Sequence, residues 1–156
     1  MIFITLIPLL CALQEEVFIV TLLFERVHCD ECKAEVEAIA KKSPGFKAIN
    51  FSETSAAVTL EEKAPVPAFG GMPKDMGFSG VKVTLRGMVN VTDDKTTFVA
   101  KGSGQTFALA NPAQPPKDHI GELKKKLGGK NRFQVTGSVA GKRLILSGFQ
   151  TTDWKD

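Results

Sequence analysis

The segment His28-Cys29-Asp30-Glu31-Cys32 sets two thiols three residues apart and an imidazole next to the first. Thiols at this Cys-x-x-Cys spacing can hold one soft metal ion between them, or close into a disulfide that passes electrons. A purely structural disulfide is the third reading, and the residues around the pair have to choose among them. No other group of side chains forms a recognisable catalytic set. The only histidines are His28 and His119. Gly102-Ser103-Gly104 reads as a hairpin loop rather than a phosphate cradle, because no helix follows it. The acid pairs Glu61-Glu62 and Asp93-Asp94 fall in turns and are expected to face solvent. The expectation is a binding protein, not an enzyme, with thiol-disulfide exchange as the one redox alternative.

The elements that must position the thiols follow from periodicity. Val17 to Phe24 is rich in β-branched and aromatic residues and predicts a strand, central in its sheet because both faces are apolar. Lys33 to Lys42 predicts a helix, with Val36, Ile39 and Ala40 turned inward and Lys33, Glu37 and Lys41 wet. Pro44-Gly45 ends it. Phe46 to Ser52 and Ala56 to Glu61 predict a hairpin across Glu53-Thr54-Ser55. The stretch 64–77 holds three prolines and three glycines, so any helix there must be short or irregular. Val81 to Leu85 predicts a fourth strand.

The order strand, Cys-x-x-Cys, helix, hairpin, weak helix, strand resembles the heavy-metal-associated domain, a ferredoxin-like βαββαβ module, over residues 17–86. The parts that carry the resemblance are Cys29-x-x-Cys32 opening the helix, Ser43-Pro44-Gly45-Phe46 after it, Ala57-Val58-Thr59-Leu60 as third strand, and Met76-Gly77-Phe78 before the last. Where the family has Gly-Met-Thr or Gly-Met-His before its first cysteine, this chain has Arg26-Val27-His28. The resemblance implies Cys29 and Cys32 as metal ligands, Cu(I) as the foremost ion, with zinc, cadmium or mercury as alternatives, and a metal-donor or acceptor protein as partner. His28 is the candidate accessory ligand. Met72 and Met76 are expected to fill core rather than to bind metal.

The second half, residues 87–156, reads differently. It predicts a strand at Arg86 to Val91 that extends the previous one, strands at Thr97 to Ala100 and Thr106 to Ala110, a helix at Asp118 to Leu127, and a hairpin from Phe133 to Val139 and Arg143 to Phe149. Three strands, a helix and two strands resemble a small OB-fold barrel, bending at the glycines of Leu85-Arg86-Gly87-Met88-Val89 and Val135-Thr136-Gly137-Ser138-Val139. The fold class expected is therefore α+β, a ferredoxin-like βαββαβ metal-binding module followed by an OB-like β-barrel. Phe98, Phe107, Phe133 and Phe149, with the run Lys124-Lys125-Lys126 and Lys130 and Arg132, suit core and solvated face better than a nucleic-acid surface.

Charge divides along the same line, residues 14–87 carrying about −2 and residues 88–156 about +5 of the net +3. Met1 to Leu13 is an apolar stretch without a basic start, too short to cross a bilayer and suited to a signal-peptide core. Its removal would take Cys11 with it, leave no membrane anchor, and place the mature protein in the periplasm or outside the cell. The combined expectation is an exported soft-metal-binding protein for sequestration or delivery. The alternative is a redox or non-catalytic binding module whose barrel finds a protein partner.

Overall fold

A computed structural model describes residues 16–129, 131–152 and 154. The apolar start at 1–13, with Cys11, lies outside the described residues. Eight strands and two α-helices follow in the order β1 (Val17–Phe24), α1 (Asp30–Lys41), β2 (Phe46–Phe51), β3 (Ser55–Glu61), β4 (Phe78–Val91), β5 (Thr96–Ala100), β6 (Thr106–Ala110), α2 (His119–Lys126), β7 (Arg132–Ala140) and β8 (Arg143–Thr151).

The expected α+β class with a ferredoxin-like βαββαβ module is corrected by this architecture. Strand accounts for 46% of the described residues against 17% for helix with the 3₁₀ turn included, and the second helix that such a module requires is missing between β3 and β4. Only one 3₁₀ turn, Lys74–Met76, forms between β3 and β4. The physical reason is local. Each of Pro65, Pro67 and Pro73 removes a backbone donor, and the Gly70-Gly71 pair adds backbone entropy that a helix would have to suppress. The segment runs without regular structure up to the 3₁₀ turn, with the Val66 amide donating to Gln105 Oε1 at 2.8 Å. Phe69 is buried, and Val66 and Met72 pack against the same core.

The sheet order is β2-β3-β1-β4-β5-β6-β8-β7, and β4 also pairs with β7, which closes β4, β5, β6, β8 and β7 into a five-stranded barrel. Only β6 and β8 run parallel in it. β4 is the strand common to both halves. Residues 78–84 pair with β1, residues 87–91 with β5, and residues 82–88 with β7 on the opposite edge. The change of neighbour along one edge falls at Gly87, where an added Cβ would collide with the Val99 carbonyl oxygen and the Phe98 ring. No larger residue permits so close a crossing. At the other glycine where a bend is expected, the register shifts between Thr136 and Gly137, where β7 meets β8.

The barrel is filled by Phe98, Phe107, Phe133, Leu144 and Leu146, all fully buried, and α2 contributes Leu123. In the first half, Val36 and Ala40 of α1 are buried together with Phe18, Val20, Leu22 and Phe24 of β1. β1 is central, as its composition predicts, yet only one face is covered. Val17 and Ile19 on the other face are 43% and 47% exposed.

Candidate metal centre

The Cys-x-x-Cys pair sits where β1 hands over to α1. α1 begins at Asp30, three residues earlier than periodicity suggests, with Cys29 as its N-cap in an extended conformation (φ −129°, ψ 147°). The Cys29 Sγ accepts the Cys32 backbone amide at 3.1 Å. A sulfur thus takes the place of the usual capping oxygen and satisfies one of the free donors of the first turn. Asp30 and Glu31 occupy that turn, where acidic side chains suit the positive end of the helix dipole.

One turn of helix brings the two cysteines together, with Cα atoms 5.3 Å apart and the sulfurs joined as a disulfide. His28 completes the group. A ligating atom from each of His28, Cys29 and Cys32 lies within 4.8 Å of the others. The His28 Nδ1 is 3.3 Å from the Arg26 carbonyl oxygen. A carbonyl can only accept, so Nδ1 is the donor in this contact, and in the neutral ring Nε2 is then the nitrogen with a lone pair to give. Such a carbonyl-oriented imidazole is the usual outer support of a metal-ligating histidine. The donor set, two sulfurs and one nitrogen, suits a soft or borderline ion once the disulfide is reduced.

The loop ahead of the cysteines is held from two sides. The Glu25 amide is shared between the carbonyls of Met76 and Gly77 at 3.1 and 3.0 Å, and the Val27 amide donates to Glu53 O at 2.8 Å. Gly77 is in the left-handed region (φ +61°), and a Cβ there would lie 2.7 Å from the Glu25 side chain. Both its conformation and its contact with Glu25 therefore call for glycine. Beneath the loop, Val27 and Cys32 pack on the apolar core. His28 is exposed and Cys29 half-buried. Met76 is fully buried, as expected for core filling.

Sequence patterns pointed to His28, Cys29 and Cys32, and the fold brings the three together. They gave no sign of the supports: Arg26 and Met76 act through backbone carbonyls that any residue carries. The expectation that Glu61-Glu62 faces solvent is half wrong. Glu61 is half-exposed and pairs with Lys47 at 3.1 Å, but Glu62 is only 8% exposed. Its Oε2 accepts from the Arg86 guanidinium at 2.5 Å. Its Oε1 lies 3.1 Å from Lys101 Nζ without hydrogen-bond geometry, a charge contact only. Glu16 closes the ring, 2.5 Å from Lys101 and 3.5 Å from Arg86.

This ring ties the residue preceding β1, the turn after β3, the middle of β4 and the β5–β6 hairpin, where the two halves of the chain meet. The hydrogen bond from Lys101 holds the Glu16 carboxyl below its ordinary value. The same bond leads in raising Lys101. Burial acts to lower Arg86, but Glu62 and Glu16 outweigh it and leave the guanidinium raised. A groove of about 650 Å³ runs from this ring along the open face of β1, past Val17, Ile19 and Leu23.

On the barrel, three of the four phenylalanines that could stack on bases are inside, and Phe149 is half-buried with its ring 6.1 Å from that of Phe133. Lys124, Lys125 and Lys126 are exposed on α2, in its last turn. Among the described residues no helix is long and apolar enough to cross a membrane. No protein-family model matches the chain, and no curated protein or solved structure shows significant similarity to it.

Proposed function

We propose that this protein binds a soft metal ion, with Cu(I) foremost, through the sulfurs of Cys29 and Cys32 and the free imidazole nitrogen of His28, and serves in sequestration or delivery of that ion. The observation that carries the reading is the convergence of three ligating atoms within 4.8 Å on one loop and helix N-terminus. The Arg26 carbonyl supports it by orienting the imidazole. Two thiolates and one imidazole make a three-coordinate set with room for an incoming donor, the arrangement that ligand exchange with a partner thiol requires. Zinc, cadmium and mercury suit the same donors.

The test is a Cu(I) titration of the reduced full chain against a calibrated chromophoric chelator, with thiols counted before and after. One tightly bound equivalent is expected, lost in Cys29→Ser and in Cys32→Ser and weakened about 10- to 100-fold in His28→Ala, the range seen when part of a metal site's support is removed. Full-affinity binding by Cys29→Ser would overturn the assignment.

A further inference from the structure

The two sulfurs that would hold the ion are also the two sulfurs of the disulfide. They cannot be both at once, since a disulfide sulfur has no thiolate to give a metal. We propose that the Cys29–Cys32 pair is a thiol–disulfide exchange couple that gates the metal site, with Cys29 as the sulfur that exchanges with small disulfides and thiols of the glutathione class. The proposal rests on the metal reading for the gate, and on the geometry of the pair alone for the exchange.

The two cysteines are not equivalent. Cys32 lies inside the first turn of α1, half-buried and packed against the apolar core. Cys29 is half-buried too, but it lies outside that cluster, at the N-cap between exposed His28 and exposed Asp30, and its sulfur already accepts the Cys32 amide. An incoming molecule therefore reaches Cys29 first, and the amide stands ready to stabilise negative charge on that sulfur.

In oxidation, the Cys29 thiolate attacks one sulfur of a small disulfide RSSR, forming R–S–S–Cys29 and expelling RS⁻. Cys32 then attacks Cys29, its proton passing to solvent, and expels the second RS⁻. The pair has lost two electrons and RSSR has gained them. An ion held by the two sulfurs is released in the same event. Reduction runs in reverse: RS⁻ attacks Cys29 Sγ, the bonding pair leaves on Cys32 Sγ and takes up a proton, and a second RS⁻ frees Cys29 as RSSR departs. Metal binding must oppose oxidation by linkage. Free ion at about 100 times its dissociation constant lowers the oxidised-to-reduced ratio about 100-fold.

Zinc is the probe of choice for the gate because it has no redox chemistry of its own. The reduced full chain is loaded with one equivalent of Zn²⁺ and mixed with oxidised glutathione, while a chromophoric indicator follows zinc and alkylation with mass spectrometry follows thiols. Zinc release in step with loss of both thiols is the expected result, as is its full recapture on adding reduced thiol. Separately, metal-free Cys32→Ser should form a glutathione adduct at residue 29 at least about 10-fold faster than Cys29→Ser forms one at residue 32, since exchange depends on access and thiolate character. Thiol loss with zinc retained overturns the gate. Equal adduct rates overturn the assignment of Cys29. A reduced chain that takes up no metal sinks the metal reading and the gate with it, while the adduct rates still decide the exchange.

Discussion

Replacing Glu62 by glutamine keeps the shape of the side chain and removes its charge from the centre of the ion ring. Arg86 and Lys101, whose side chains are only 28% and 18% exposed, would then share the single carboxylate of Glu16, itself 52% exposed. Breaking a fully buried pair costs about 3–5 kcal/mol because a charge is left without its partner. Exposed pairs are worth about 0–1 kcal/mol. The ring stands between these limits, so Glu62→Gln should destabilise the fold by about 2 kcal/mol, or lower the melting temperature by about 4–8 °C for a chain of this size. Urea unfolding followed by Trp154 fluorescence and by far-UV circular dichroism measures it. The double variant Glu62→Gln, Arg86→Gln should cost less than the sum of the two singles by about 1 kcal/mol, since the two groups touch. The pH dependence of the wild type gives a second check. Lys101 is raised in the folded protein, so its contribution is fully present below its unfolded value near 10.5 and fades as pH rises through the folded one. A loss under about 0.5 kcal/mol, or strict additivity in the double variant, would refute the view that this ring clamps the two halves together.

Gly77→Ala should loosen the cysteine loop by about 1–2 kcal/mol or more, from the left-handed backbone it imposes on a side chain and from the push on Glu25. Faster amide exchange at Glu25 and Arg26 with an otherwise intact fold would report it, whereas unchanged exchange would show that Gly77 is not needed to shape the loop. The Asp118 carboxyl is lowered by the Gly121 amide and then by Asn111, so the support it gives α2 is present above its ordinary value near 3.8 and lost as pH falls through the lower folded one. Asp118→Ala should therefore melt earlier than the wild type at neutral pH and match it in strong acid; a difference that persists in strong acid would contradict the capping role.

Much of the local structure was legible in the residues themselves. Cys-x-x-Cys spacing at the start of a helix places both sulfurs on one turn, and alternation in the strands marked Phe98, Phe107 and Phe133 for an interior. Gly87 and Gly137 marked the places where β4 changes its neighbour and where β7 shifts its register against β8. These features depend on a period of two or of 3.6 residues, on the chirality of the backbone and on the size of a side chain, all carried within a few neighbours.

Tertiary structure decided what depends on distant partners. Three prolines and two adjacent glycines already argue against a helix over 64–77, but the path the segment takes is set by an anchor at Gln105, 39 residues beyond Val66. Glu62 beside Glu61 reads as a wet turn until Arg86 and Lys101 arrive from other strands to neutralise it. The covering of one face of β1 and not the other is equally invisible in a run that is apolar on both. The support of the candidate metal loop came from backbone carbonyls at Arg26, Glu53 and Met76, which are chemically identical in every residue and become specific only when the chain folds them into place.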